Sequence, residues 1–180
     1  MNYLTPELVA RSRSEDETIA EAAGADWERA CEEYNQRVDA LRPKLPKGVR
    51  TLLDRLYLHD ARVLALAVEE APVFSIFLQL DNPPKKLVEL KYSLAAPPKL
   101  LRHANLAGDG KPLQWWLYDE IDVLEEGPVS VIKHSILLTG GWELQLLFSN
   151  LRCKRLRRIV LPPAGTPTDE TLSEPELLGT

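Results

Sequence analysis

The sequence predicts an α+β fold, with N-terminal amphipathic helices packed on an antiparallel meander sheet of about six to seven strands. Three observations predict it. Apolar residues recur every three or four positions through the first third of the chain. At Leu58-His59-Asp60-Ala61 that period gives way to alternation. Beyond it, short alternating runs are separated by proline and glycine. The 180 residues suit one domain, helical over 1–57 and sheet-forming over 58–161, and 44% apolar residues suffice for its core.

The first helix is expected from Pro6 to Arg13, with Thr5 as cap and Pro6 at the first helical position. Ser14 with Glu17 reads as a capping box opening a long helix over Glu15–Arg42. Ile19, Ala23, Trp27, Ala30, Tyr34, Val38 and Leu41 share one stripe of it. Pro43 and Pro46 end that helix, and a third is expected over Val49–Tyr57.

An apolar strand is expected over Arg62–Glu69. A second puts Phe74, Ile76, Leu78 and Leu80 on one face, and a third does the same with Val88, Leu90, Tyr92 and Leu94. Asp81-Asn82-Pro83-Pro84 marks the turn between them. Pro97–Pro112 reads as a long connection with a helical turn at Lys99–Ala104 and a mobile tip at Gly108-Asp109-Gly110. Strands follow at Trp115–Glu125, Val129–Thr139 and Trp142–Phe148, the first two separated by Gly127-Pro128. Taking Gly140-Gly141 as a two-residue hairpin loop sets Leu137 opposite Leu144 and His134 opposite Leu147. A last strand is expected at Ile159-Val160-Leu161, then a disordered acidic tail over 162–180. A strongly bent sheet or small barrel is the alternative architecture.

A net charge of −5 and a pI near 5.3 argue against a nucleic-acid partner, which needs a basic surface. The N-terminus carries no apolar signal core and no run reaches the length of a membrane span, so a cytoplasmic protein is expected. Cys31 and Cys153 then read as free thiols, with one disulfide as the alternative. Dinucleotide, phosphate-loop, zinc-protease and serine-hydrolase motifs are absent, and no cofactor is expected.

The candidate site residues are His59, Asp60, Trp115, Glu120 and Asp122. His59 and Asp60 can share a proton or a metal, but neighbours in a strand point to opposite faces. The competing reading makes Asp60 a backbone cap and His59 the filler of a polar niche. The segment Asp119–Glu126 holds five acids and no base. Alternation puts Glu120 and Asp122 on one face and Asp119 on the other, so Glu120 and Asp122 are the pair able to share a site; a solvated strand face is the competing reading. Trp115-Trp116 must face opposite ways, leaving Trp115 as a candidate anchor for a partner. His134 alternates with Ile132, Ile136 and Leu138, which marks a core histidine. The basic run Arg152–Arg158 is expected to neutralise the acidic 119–126 segment or the acidic tail, with a polyanion as the alternative partner.

Tyr3-Leu4-Thr5 before a charged helix, and Leu58-His59-Asp60-Ala61-Arg62-Val63 leading into a strand, resemble uncharacterised bacterial families. Their pattern is a Leu/Phe-His-Asp-Ala/Ser-x-Ile/Val element opening a β-rich domain. Some proteins with that element look like immunity proteins of bacterial toxin systems. The resemblance implies an α+β protein with no established enzyme activity, and its matching positions are His59 and Asp60. The functional expectation is a non-enzymatic protein-binding protein, immunity-like or an adaptor, with another protein as partner. The alternative is a metal-dependent hydrolase or metal-binding protein using His59, Asp60, Glu120 and Asp122.

Overall fold

Helix α1 spans Pro6–Ser12, and Thr5 accepts the Leu8 N–H as its cap. Helix α2 spans Glu17–Leu41. Its cap is Asp16, one carboxylate oxygen accepting from the Thr18 and Ile19 amides, and not Ser14, whose hydroxyl instead accepts the Asp16 amide. A carboxylate at a helix N-terminus gains from the dipole as well as the hydrogen bond, which favours Asp16. Helix α3 spans Lys47–Arg55, two residues earlier than periodicity suggests. The computed structural model describes residues 1–70, 72–109, 114–126 and 129–156. The Gly127-Pro128 break, Gly110 at the tip of the long connection, the strand at 159–161 and the tail over 162–180 lie outside the described residues.

Among the described residues seven strands follow: β1 Arg62–Val68, β2 Val73–Gln79, β3 Leu87–Leu94, β4 Lys99–Arg102, β5 Trp116–Glu126, β6 Val129–Leu138 and β7 Trp142–Leu156. All pairings are antiparallel, in the order β1-β2-β3-β7-β6-β5, with β4 against β7. Helices on an antiparallel sheet are thus what the sequence implies, but the meander is split between β3 and β7. The helical turn expected at Lys99–Ala104 is strand β4 up to Arg102, and a 3₁₀ turn begins at Ala104.

Strand β7 joins the two halves by changing neighbours. Trp142–Phe148 pairs with β6, while Phe148–Leu156 pairs with β3. The sheet then curls until its ends meet. Asp60 N–H donates to Trp116 O at 2.8 Å, Trp116 N–H to Ala61 O at 2.9 Å and Val63 N–H to Gln114 O at 2.7 Å. This near-closure is the bent-sheet alternative.

The main core fills the concave side of the curl. Phe74, Ile76, Leu78, Leu90, Tyr92, Ile136, Leu146 and Phe148 meet Val49 and Leu52 of α3 there. Each such side chain contributes about 1.5–3 kcal/mol on burial. Gly48 lets α3 sit directly on β7, since a Cβ there would lie 1.6 Å from the Leu151 carbonyl oxygen. On the convex side, Val9, Leu106, Leu117 and Leu137 form a second cluster, with Trp27 and Tyr118 against it. The helical third therefore covers both faces of the sheet.

The β6–β7 hairpin differs by one residue from its expected register. Leu138 pairs with Trp142, so Ile136 faces Leu144 and His134 faces Leu146. The loop is Thr139–Gly141, with Gly140 and Gly141 at φ 75 and 73. Thr139 leaves the ladder because β5 holds it. Its N–H donates to Trp115 O, and its hydroxyl accepts from the Gln114 and Trp115 amides. Since side chains alternate, the slip decides which residues share the core with His134.

Candidate functional site

Strand β5 carries the acidic patch, and its two faces have opposite fates. On the concave face, Trp116 is fully buried and donates its indole N–H to Asp119 Oδ1 at 2.9 Å. Asp119 Oδ2 lies 3.0 Å from His134 Nε2, and His134 Nδ1 lies 3.0 Å from the Tyr92 hydroxyl. A carboxylate accepts, so His134 Nε2 carries the hydrogen toward Asp119, while Nδ1 shares a hydrogen bond with the Tyr92 hydroxyl. Tyr92 is fully buried, and burial first, then the Asp119 charge, pushes its hydroxyl well above its ordinary pKa. The Tyr-His-Asp order resembles a proton relay, but its hydroxyl end has no solvent face. His134 is the core histidine that its apolar neighbours on β6 imply.

On the convex face, Glu120 is buried beneath the N-terminal segment. Its Oε2 accepts the Asn2 amide at 2.6 Å, and Oε1 accepts the Tyr3 and Leu4 amides at 2.8 and 2.6 Å. Three backbone donors on one carboxylate make a strong, directional strap. Asp122 is held by Arg37 of α2, 2.7 Å away, and caps the Val123 amide. Glu120 and Asp122 do share a face, as alternation requires, but both are consumed in holding the helical layer. The pair expected to share a site is structural.

A second buried carboxylate lies away from the acidic patch. Glu143 of β7 accepts from Gln145 at 2.8 Å, from His103 at 2.8 Å and from the Met1 amino group at 3.0 Å. Burial by itself would raise its pKa. The hydrogen bonds from Gln145, the Met1 amino group and His103 outweigh burial and hold it below its ordinary value. Its one signal in the sequence is an acid set between the apolar Trp142 and Leu144 at the start of a strand.

His59 and Asp60 lie where the sheet closes. Asp60 has φ 60, a left-handed conformation that Asp tolerates better than most residues. That turn cancels strand alternation and brings Asp60 Oδ2 to 3.5 Å from His59 Nε2. The Asp60 N–H belongs to the closure bond with Trp116. His59 Nδ1–H donates to the Leu117 carbonyl, which fixes the ring and turns Nε2 outward. The ring packs 5.0 Å from Tyr118 and 6.1 Å from Tyr57, and Tyr118 in turn meets Trp27 at 4.6 Å. Trp115 is 38% exposed whereas Trp116 is buried, as their adjacency requires, but Trp115 does not border the cleft described next.

Between the free edge of β5, α2 and the α3–β1 connection is an open cleft of about 380 Å³. Leu56, Leu58, Leu117 and Leu4 supply apolar walls, Tyr57, His59 and Tyr118 an aromatic one, and Asp119 with Tyr34 the polar end. The Asp119 side chain retains 21% exposure, so the buried chain reaches the surface there. Tyr34 Oη accepts the Ile121 amide at 2.7 Å, closing the β5 edge. Burial and then the Asp119 charge raise the Tyr34 hydroxyl pKa. The cleft therefore joins His59 to Asp119, not to Glu120 and Asp122. Asp119, Tyr34, Tyr57 and Tyr118 are the residues sequence reasoning missed.

The four residues of the metal-site expectation are not brought together, and among the described residues no group of three or more His, Cys, Asp or Glu is spaced to hold a metal ion. The described part of the basic run, Arg152–Arg155, runs beside β3, with Lys154 opposite Glu89. Among the described residues it is not a strand neighbour of the acidic segment, because β6 lies between β7 and β5. Arg157 and Arg158 lie outside the described residues. Cys31 and Cys153 are free, and burial raises both thiols, Cys153 to about 11. Among the described residues no helix is long and apolar enough to cross a membrane. No protein-family model matches this chain, and comparison with curated proteins finds no match either.

Proposed function

We propose that this chain is a non-enzymatic binding protein that engages another protein through the cleft at His59. The observation that carries the reading is the exposed aromatic wall. Tyr57 stands 58% exposed beside His59 and Tyr118, at the mouth of a concave surface. Tyrosine is favoured at binding hot spots because it offers large rigid area at low entropic cost. Among the described residues every buried side-chain nitrogen and oxygen has a hydrogen-bond partner.

An immunity-like or adaptor role in a bacterial cytoplasm is the finer form of this proposal. It rests on the resemblance of the Leu58-His59-Asp60-Ala61 element, whose His59 lines the cleft with Asp60 3.5 Å from its ring. The test is affinity capture from lysate of the host cell, with wild-type protein and Tyr57→Ala in parallel. One stoichiometric partner held by the wild type and released by the variant is expected. A partner held equally by both, or none held by either, overturns the reading.

A further inference from the structure

Resting on that reading, we infer that the cleft receives a basic side chain of the partner, arginine ahead of lysine, with its cation against Asp119. The lining contains one carboxylate and no lysine or arginine. The hydrogen-bond donors on Asp119 are the Trp116 indole and the His134 ring. Among the described residues, no lysine or arginine side chain lies within ion-pair distance of it. Each Asp119 oxygen takes one ring N–H and retains a lone pair for a further donor. Asp60 adds a second negative charge beside His59, and Arg13, whose charge reaches the Tyr118 hydroxyl, is not a lining residue.

An acidic ligand would meet that charge without compensation, and a neutral one would leave it as it is. A cation on an apolar stem answers both parts of the cleft. The stem lies along Leu56, Leu58 and Leu117, and the head reaches Asp119 past the faces of Tyr57 and Tyr118. A guanidinium stacks on such rings and is more weakly hydrated than an ammonium, which ranks arginine first. The volume of about 380 Å³ lies within the ~300–1,000 Å³ of ligand clefts.

The test is NMR titration with N-acetyl-arginine amide, following the Trp116 indole N–H, which reports directly on Asp119. The citrulline analogue is its neutral isostere and the lysine analogue ranks the cations. A saturable shift is expected with arginine, roughly tenfold weaker binding with citrulline, and an intermediate affinity for lysine. Asp119→Asn should abolish the shift. Because Asp119 also serves the interior, Tyr57→Ala gives a second measure at an exposed position, where several-fold weaker binding is expected. Equal binding of arginine and citrulline, no saturable shift, or unchanged affinity in Tyr57→Ala overturns the inference. A silent probe alongside partner capture that depends on Tyr57 removes the basic side chain and leaves the binding reading standing. A responsive probe with no captured partner does the reverse.

Discussion

Asp119 and Glu120 are neighbours on one strand, share a charge, and do opposite things. Glu120 turns to the convex face, where three backbone amides of residues 2–4 saturate it. Asp119 turns to the concave face, where two ring N–H groups hold it and one side stays open to the cleft. The difference comes from what covers each face. A chain segment with free amides, laid over a carboxylate, consumes it. A pair of side-chain donors orients a carboxylate and leaves it lone pairs to offer. A cluster of acids in a sequence is thus two populations, and their roles follow from the layers packed against them.

The largest expected effect sharpens the structural half of this contrast. Glu120→Ala strands three buried or half-buried amides and should cost about 3–4 kcal/mol in chemical denaturation, with faster hydrogen exchange at Asn2, Tyr3 and Leu4. His134→Leu keeps the volume but leaves Tyr92 and Asp119 without their partner. A loss of about 2–3 kcal/mol in the same assay is expected, and a neutral result would dissolve the buried chain. Asp119→Asn preserves shape and the acceptor toward Trp116. It should cost only about 1–2 kcal/mol while removing the charge from the cleft.

Periodicity makes the secondary structure legible, and alternation alone separates Asp119 from Glu120 and Asp122. What alternation lacks is the identity of the covering layer. Glu120 is structural because residues 2–4 return over β5, a contact more than a hundred positions away in sequence. The strand rule assigns His59 and Asp60 to opposite faces, and it fails at a residue with φ 60. The hairpin register slips because Thr139 bonds to β5 and leaves its own ladder, again a tertiary contact overriding a local turn signal. Closure of the sheet through Asp60–Val63 and Gln114–Trp116, which creates the cleft, leaves no trace in the sequence beyond apolar runs.

Glu143 gives a smaller effect with a defined pH dependence. Its folded pKa lies below the ordinary 4.5, so its contribution is complete above that value and is lost as pH falls through the lowered one. The stability gap between wild type and Glu143→Gln, about 1 kcal/mol near neutral pH, should close as the solution is acidified below pH 4.5. A gap that is constant down to acid would contradict the hydrogen-bond account. Tyr57→Ala should be the mildest for the fold, within about 0.5 kcal/mol of wild type, because the ring is exposed. Its effect belongs to binding.

The most direct test of the divided strand is the affinity of N-acetyl-arginine amide for Glu120→Gln beside Asp119→Asn, measured under conditions where both variants are folded. Wild-type affinity in Glu120→Gln and none in Asp119→Asn is the predicted result. Equal loss in both would contradict it, since the two carboxylates would then act as one acidic site.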